Sequence, residues 1–416
     1  MKPHICAPRR LSGAAALVVT LLLFFAMVLG VLFVNRNLIF EQRASANQYR
    51  ATQAFEAAEA GLEWALAALN ADEAIGSDCR ASGDPKSGSF RDRYLLAQHG
   101  AFVPVTAAGA ALRPSCVRGD DGWSCSCPDH GAPTLTRPAD DVTAPAFTLQ
   151  FAAGPKPGTV RAIATGCSRL AAPCLGGPAG TSDAGASHEV LLGLLPGLRT
   201  PPAAALTVRG SVGAGLAALG VHNADPATAL AIDAGGAIDA AALRITAPAG
   251  GSIAASLAPA DTALAARTPA DLFTGTFGLP PERWQVQPGV RRIRCDQQPC
   301  NALVSGDAAQ RLTWIDGDAR LSGPLTLGSP SRPVILVASG SLELTGDVVI
   351  HGLVYAGALT WNDTSGRGAL LRGAAISSGD YQGNGTPDIV RDAAILAALH
   401  DASGGFARIA GSWRDF

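Results

Sequence analysis

The first 70 positions carry the strongest hydrophobic pattern in the chain. One apolar run, at residues 14–34, reads AAALVVTLLLFFAMVLGVLFV and is interrupted only by Thr20 and Gly30. A helix of this length spans roughly 30 Å, which is the thickness of the hydrocarbon core of a bilayer. The run therefore predicts a transmembrane helix. Because basic residues precede it, the positive-inside tendency predicts that everything beyond residue 35 lies outside the cytoplasm.

The helical pattern continues beyond the apolar run. No proline occurs between Leu11 and Asp84, and apolar side chains recur at helical spacing. Four of them are predicted to dock the helix onto the rest of the protein: Phe55, Leu62, Leu66 and Leu69. A cleaved secretory signal is the alternative. It is disfavoured because the run exceeds the ~7–15 residues of a signal core and is followed by more helix.

Two sequence segments, one before and one after the apolar run, are specific to a protein family. The basic leader ends in RRLSG at residues 9–13, and the apolar run is followed by NLIFEQRASANQYRATQAFEAAEAGLEWAL. Within that stretch, QAFEAAEA at residues 53–60 is the most specific part. Together these segments resemble the PilX-type minor pilins of type IV pilus systems. The phrase PADLFTGTFGLPPERW (269–284) and the closing GSWRDF (411–416) are also similar to larger proteins of that family.

The resemblance implies how the N-terminus is processed. In this family a prepilin peptidase cuts after the leader glycine, here Gly13, so that Ala14 becomes the first mature residue. The apolar helix stays attached and can pack in a fibre core. Major pilins carry a glutamate at the fifth mature position, where this chain has Val18. That carboxylate would neutralise the terminal amine of a neighbour in an apolar core, so its absence predicts a position near the fibre tip.

Beyond residue 200, short alternating runs separated by glycine predict β-strands. Two of these runs echo each other: GDARLSG starts at Gly317 and GSLELTG starts at Gly340, 23 residues later. This spacing lies in the range of solenoid rungs and favours a short parallel β-helix. A β-sandwich is the alternative for the same strands.

These patterns predict an α+β fold in which a long N-terminal transmembrane and stalk helix is followed by a β-rich head. The predicted parts are a prepilin-type leader (1–13), a pilin-like helix (14–70, with 14–34 in the membrane), a cysteine-rich irregular region (71–200) and a β-rich C-terminal head (201–416).

The cysteines predict disulfides in an oxidising compartment. Apart from Cys6 in the leader, eight remain, an even number, and all follow the membrane helix. The candidates are Cys79, Cys116, Cys125, Cys127, Cys167, Cys174, Cys295 and Cys300. A metal site at Cys125 and Cys127 with Asp129 and His130 is the disfavoured alternative, because it lacks zinc-finger spacing. No metal and no cofactor are predicted.

Charge and motifs argue against nucleic-acid binding and against catalysis. The formal net charge is -2, which supplies no basic surface for nucleic acid. The sequence holds no Walker loop, no G-x-S-x-G elbow and no H-E-x-x-H helix. We therefore predict no enzyme; a membrane-tethered β-helix enzyme acting on polysaccharide is the weakest alternative. The pair Asp316 and Asp318 is interpreted as a turn rather than a calcium site.

The sequence thus predicts a minor pilin that takes part in assembly or priming of a type IV pilus. Its predicted partners are other minor and major pilins, the prepilin peptidase and the inner-membrane assembly platform. Its predicted location is the inner membrane with the C-terminal part in the periplasm, and then the pilus at the cell surface. A tip adhesin that binds a surface or glycan is the second hypothesis. Four aromatic residues could form its sugar-stacking face, although core packing is favoured for them: Trp314, Tyr355, Trp361 and Tyr381.

Overall fold

A computed structural model describes most of the chain. The described residues are 12–84, 87–98, 100–135, 144–170, 184–213, 215, 218–239, 243–305, 311–363 and 368–415. The predicted leader (1–13) falls almost entirely outside them, as does Cys174.

One helix is far longer than the others. Helix α1 spans Ser12–Asn70 and has 59 residues, so it is about 90 Å long. The remaining helices are α2 (Phe90–Tyr94), α3 (Thr262–Ala265), α4 (Pro269–Phe277), α5 (Pro281–Trp284), α6 (Asn301–Val304) and α7 (Ala393–Ala402), with a short 3-10 turn at Ala254–Ser256.

The strands all follow the long helix. Those before residue 200 are β1 (Leu95–Gln98), β2 (Ala101–Pro104), β3 (Thr106–Ala107), β4 (Ala110–Ala111), β5 (Ser115–Gly119), β6 (Gly122–Ser126), β7 (Ala146–Ala153), β8 (Thr159–Cys167) and β9 (Gly185–Pro196). The next are β10 (Leu206–Val208), β11 (Val212–Gly213), β12 (Leu219–His222), β13 (Ile232–Ala234), β14 (Leu243–Thr246), β15 (Leu257–Ala258) and β16 (Val290–Arg294). The last are β17 (Leu312–Asp316), β18 (Ala319–Ser322), β19 (Leu325–Leu327), β20 (Val334–Thr345), β21 (Val348–Asn362), β22 (Leu370–Ser377), β23 (Tyr381–Gly383), β24 (Asp388–Arg391), β25 (Gly404–Arg408) and β26 (Arg414–Asp415).

An antiparallel sheet packs against the second half of α1. Its main order is β25-β9-β8-β7-β5-β6, and β26 extends it beside β9. The apolar core between helix and sheet includes Leu62, Leu69, Phe147, Phe151 and Phe406. Region 71–200 was predicted to be irregular, and this prediction was wrong. Its strands do alternate between buried and partly exposed positions, as β8 shows, but glycine, proline and cysteine around them gave the pattern of a loop.

The C-terminal end of the chain packs with the region before residue 200, across the predicted domain boundary. Strand β25 pairs with β9, so that Phe406 lies opposite Leu194. The last described residues therefore complete the sheet that begins with residue 115. Distant segments meet here because sheet edges are closed by whichever chain segment can supply the missing hydrogen bonds.

The second body is a parallel β-helix. Within the described residues, all strand pairs of its 15-stranded sheet are parallel. Leucine, valine and isoleucine from successive rungs fill the interior, together with the buried rings of Trp361 and Tyr381. The β-rich head that the sequence predicted is confirmed, and the parallel rungs select the β-helix over the β-sandwich.

The 23-residue echo marks two neighbouring rungs. Ala319 lies beside Leu342 and Leu321 lies beside Leu344 in the parallel ladder. The Gly340 amide donates to the Gly317 carbonyl at 3.0 Å. Equal loop lengths keep the two rungs in register, which is why the repeat is visible in the sequence.

The rungs are not stacked in chain order. Along one wall the order is β16, β17, β20, β21, β22, β10, β13 and β15. The last complete rung thus stacks onto the first one, with Leu206 beside Ala375.

Short helices cover the outside of this wall. The phrase at residues 269–284 forms α4 and α5. Thr268 and Asp271 form a capping box at the start of α4, and Gly278 ends it in the left-handed conformation. Phe273, Phe277 and Trp284 pack on the wall in one apolar cluster. This family-like phrase is therefore a packing element of the head.

Candidate functional site at the N-terminal helix

The first half of α1 is apolar, and the rest of the protein does not cover it; we call it the bare half. The segment Ala15–Asn70 is long and apolar enough to cross a membrane, and its most apolar 18-residue window has a mean hydropathy of 3.0 with none of it buried inside the protein. Large apolar side chains stay exposed beyond residue 34, at Leu38, Ile39 and Phe40. An exposed apolar surface of this extent indicates burial in lipid or against other subunits.

The second half of α1 docks onto the antiparallel sheet through small residues. Ala54, Ala57, Ala58 and Ala65 are buried, and their helical spacing places them on one face. Gly61 faces the Phe147 ring, where a Cβ would lie 3.0 Å from two ring atoms. Small side chains let the helix approach the strands closely, so the alanine-rich phrase that carried the family resemblance is a docking surface.

The four predicted docking residues occupy different environments. Leu62 and Leu69 belong to the core between helix and sheet, and Leu66 is partly buried against it. Phe55 lies at the margin, 36% exposed, with its ring 4.4 Å from the buried His188 ring. The predicted docking set contained only large side chains, although Ala58 and Ala65 follow the same helical spacing.

The C-terminal end of α1 is capped by a buried arginine. The Arg91 Nε and Nη2 atoms donate to the Leu69 carbonyl oxygen at 2.9 and 2.8 Å, and Nη2 also donates to Gly404 at 2.9 Å. The guanidinium lies 5.0 Å from the centroid of the Phe406 ring. A cation here complements the negative end of the helix dipole. Burial lowers the pKa of Arg91 to about 10, so the side chain remains charged at neutral pH.

The last helical residue is tied to the C-terminal strand. The Asn70 Nδ2 atom donates to the Phe406 carbonyl at 2.9 Å, and its Oδ1 accepts from the Phe406 amide at 2.7 Å. With Arg91, this pair fixes the helix end to β25. A rigid joint of this kind passes a force on the helix directly to the head.

Disulfides staple the region beside this joint. Cys79 is bonded to Cys127 and Cys116 to Cys125; in the β-helix, Cys295 is bonded to Cys300. Cys167 is also disulfide-bonded. The alternative metal site at Cys125 and Cys127 was wrong, because both sulfur atoms are used in disulfides and no thiolate remains to bind a cation.

The other candidate sites resolve as structural features. Asp316 pairs with Arg292 at 2.7 Å, and the Asp318 Oδ1 atom accepts from the Ser341 amide at 2.7 Å, which fits the predicted turn. In the described part of the chain, no group of three potential metal ligands occurs. The favoured interpretation of the four aromatic residues, core packing, is confirmed and the alternative sugar-stacking face was wrong, since all four rings are buried: Trp314, Tyr355, Trp361 and Tyr381.

The processing positions lie at the start of the helix. Gly13 and Ala14 belong to the first turn of α1, and the Ala14 side chain lies outside the described part. Val18 is exposed on the bare apolar half. The first turn of helix α1 carries no acidic residue.

The family comparison falls on this helix. Residues 12–63 match the family model described as PilX N-terminal. This N-terminal stretch is similar to the PilX N-terminal domain. The resemblance predicted from the sequence is thereby confirmed, and the PilX N-terminal domain covers the bare half of α1 and most of its docking surface. It supports a pilin-like subunit of a type IV pilus, anchored in a membrane by α1, and it points to a structural role.

Other comparisons add little to the PilX N-terminal domain. No curated protein matches the chain. Among solved structures, the competence-associated pilin ComZ from Thermus thermophilus is similar at 13% identity, covering 88% of this chain and 97% of that chain, with a TM-score of 0.22. A TM-score this low does not establish a shared fold, so this likeness carries no weight.

Proposed function

We propose that the protein is a minor pilin that takes part in assembly or priming of a type IV pilus. Before assembly it is anchored in the inner membrane by the bare half of α1, with its head in the periplasm. It then enters the fibre and reaches the cell surface. The observation that carries this proposal is the two-part helix, apolar and exposed along one half and docked to a rigid head along the other.

A simple membrane tether would not need this design. A tether requires a spanning segment and a linker, whereas α1 continues without interruption from the apolar half into a close contact with the sheet. A continuous helix transmits both position and orientation to the head. Both are needed when identical or related subunits pack side by side in a fibre.

The absence of a carboxylate near the N-terminus supports a position near the fibre tip. Within an apolar fibre core, an unpaired terminal amine is costly unless a neighbouring carboxylate neutralises it. Val18 supplies no such partner. A tip subunit lacks one neighbour and therefore avoids part of this requirement.

The proposed partners follow from this life cycle. A prepilin peptidase would cut after Gly13, the inner-membrane assembly platform would receive the processed subunit, and other minor and major pilins would pack against its apolar helix. The protein would act by packing against other subunits, and we propose no catalysed reaction.

A deletion and labelling experiment in the native host tests the proposal. Removal of the gene should abolish or strongly reduce surface fibres, and an epitope-tagged copy should restore them. Gold-labelled antibody should then mark fibre ends, and the tagged protein should co-purify with other minor pilins. A normal number of fibres without the gene, together with absence of the protein from sheared fibres, would refute the assembly role.

A further inference from the structure

A cavity opens beside the joint between α1 and the head. Its volume is about 420 Å³, within the range of small-molecule sites. Trp64 of α1 forms one wall and Trp123 of β6 forms another, while Asp78, Arg80 and Ser124 add polar groups. None of these residues takes part in the apolar face that α1 offers to lipid or to other subunits.

The walls of this cavity are held in place. The disulfides Cys79–Cys127 and Cys116–Cys125 tie its two polar segments to the sheet. Phe147 supports both tryptophans from beneath, at ring-centroid distances of 5.8 Å for Trp64 and 5.0 Å for Trp123. A preformed site loses little conformational entropy when it binds a ligand.

The functional groups of the cavity face solvent. Trp123 is 37% exposed, although tryptophan is usually well buried. Asp78 and Arg80 are exposed as well. Across the described residues, neither side chain forms an ion pair, and the Asp78 Oδ1 atom accepts a hydrogen bond from the Arg80 amide at 3.2 Å. Their charged atoms therefore do little for the fold and are available to a ligand.

We infer that this cavity binds one pyranose residue of a glycan, with the sugar stacked on Trp123 and its hydroxyl groups bonded to Asp78 and Arg80. The apolar C–H face of a sugar ring matches the electron-rich face of an indole. A carboxylate accepts hydrogen bonds from hydroxyl groups and a guanidinium donates them, so the pair can bind two neighbouring hydroxyls. The volume admits one or two sugar residues.

Other ligand classes fit this cavity less well. A nucleic acid would bring phosphates beside Asp78, where like charges repel. An extended peptide could pair with the edge strand β6, but this strand has only five residues and offers few backbone hydrogen bonds. Glycan binding also goes beyond the assembly role, because this cavity lies away from the exposed apolar half of α1 and does not require a fibre.

The experiment uses the full-length chain, purified in a zwitterionic detergent without a sugar headgroup. It is applied to a printed array of neutral and sialylated oligosaccharides. The best glycan is then titrated in solution while tryptophan fluorescence is followed. We expect a glycan to bind, and we expect Trp123→Ala to weaken that binding by about tenfold or more, because a central aromatic contact commonly contributes this much.

Two further variants make the experiment decisive. Trp413→Ala is the matched control, since Trp413 is 43% exposed but lies outside this cavity; its affinity should stay within about twofold of the wild type. Asp78→Asn tests the polar contact without removing a ring, and it should also weaken binding. Thiol counting confirms that the disulfides are intact in each variant.

The inference is overturned if no glycan binds at millimolar concentration, or if Trp123→Ala and Asp78→Asn bind as tightly as the wild type. Should Trp123→Ala fail to fold, Asp78→Asn decides alone. Either negative result leaves the assembly proposal untouched, because fibre formation is measured separately.

Discussion

Gly166 of β8 lies directly against the backbone of α1 at Ala54. A Cβ atom at position 166 would lie 2.1 Å from the Ala54 carbonyl oxygen and 2.4 Å from the Ala58 amide nitrogen. Both atoms belong to the backbone and cannot rotate away. The helix and the sheet therefore approach as closely as they do only because this position has no side chain.

Gly166→Ala should separate α1 from the sheet. The added methyl group must push the backbone of one element away, and overpacking of this kind costs about 1–3 kcal/mol. We expect a lower Tm for the purified full-length chain, measured by circular dichroism. Gly185→Ala is the control, because its Cβ would meet only the Gly166 carbonyl oxygen at 3.8 Å. An unchanged Tm for Gly166→Ala would show that the helix does not pack this tightly.

Arg91→Lys should weaken the joint between α1 and β25. A lysine retains the charge but cannot bond the Leu69 and Gly404 carbonyls at once with a planar fork. A buried carbonyl that loses its partner costs about 1–3 kcal/mol. We expect a lower Tm by the same measurement. Arg161→Lys on β8 is the control, since that side chain is about half exposed; if both variants lower the Tm equally, Arg91 has no special role.

Asp233→Asn should change how stability depends on pH. Burial raises the pKa of Asp233 to about 6, and the nearby Asp261 carboxylate adds to the rise while Arg267 opposes it. A folded pKa above the usual 3.8 means that the folded state binds more protons, so stability is lost as pH rises through this window. The variant should therefore be more stable than the wild type above pH ~6.

The pH range distinguishes this effect from a general one. The difference in Tm between Asp233→Asn and the wild type should shrink as pH falls from ~6 to ~4, because the folded protein then binds a proton at Asp233 that the unfolded chain binds only near the usual pKa of 3.8. Asp121→Asn, in the exposed turn between β5 and β6, is the control for removal of one charge. A difference that stays constant with pH would contradict the raised pKa.

Gly13→Val should prevent removal of the leader. The resemblance implies that the peptidase requires glycine at this position, so the variant should keep residues 1–13 and remain in the membrane. Intact mass spectrometry of the membrane fraction measures this. Gly30→Val is the control, because position 30 has open space around it and should leave processing unchanged. A normally processed Gly13→Val protein would remove the main support for the pilin pathway.

Val18→Glu should let the subunit enter fibre shafts. A carboxylate at the fifth mature position would neutralise the terminal amine of a neighbour, which lowers the cost of burying that amine. Gold labelling should then appear along fibres instead of at their ends. Val19→Glu is the matched control, since Val18 and Val19 are both 55% exposed but differ in position. If Val18→Glu and Val19→Glu label fibres alike, the tip hypothesis fails.

Local patterns were enough to predict the helix and part of the head. The apolar run at 14–34 and the spacing of Leu62 and Leu69 follow from the chain itself, because helix period and span length are properties of neighbouring residues. The echo at Gly317 and Gly340 was equally readable, since adjacent rungs repeat their loop lengths.

The docking surface was only half predictable. Alanine carries a weak hydrophobic signal, so Ala58 was part of the helical pattern but was not predicted to dock, and Ala54 was not singled out. Their burial depends on Gly166, which is more than a hundred positions away in the sequence. Closeness between two backbones is decided by both partners together, and a pattern on one of them does not report it.

The sequence by itself determined that this protein has an apolar N-terminal helix, a PilX-like phrase on it and a β-rich head, because each is encoded by residues that are neighbours in the chain. Only the tertiary structure decided that Leu206 stacks on Ala375, that β25 closes the sheet beside β9, and that Trp64 and Trp123 frame one cavity. Such long-range pairings are selected by the fit of complementary surfaces when the chain folds. The residues that pair are far apart in the sequence, so no local pattern of neighbouring residues predicts them.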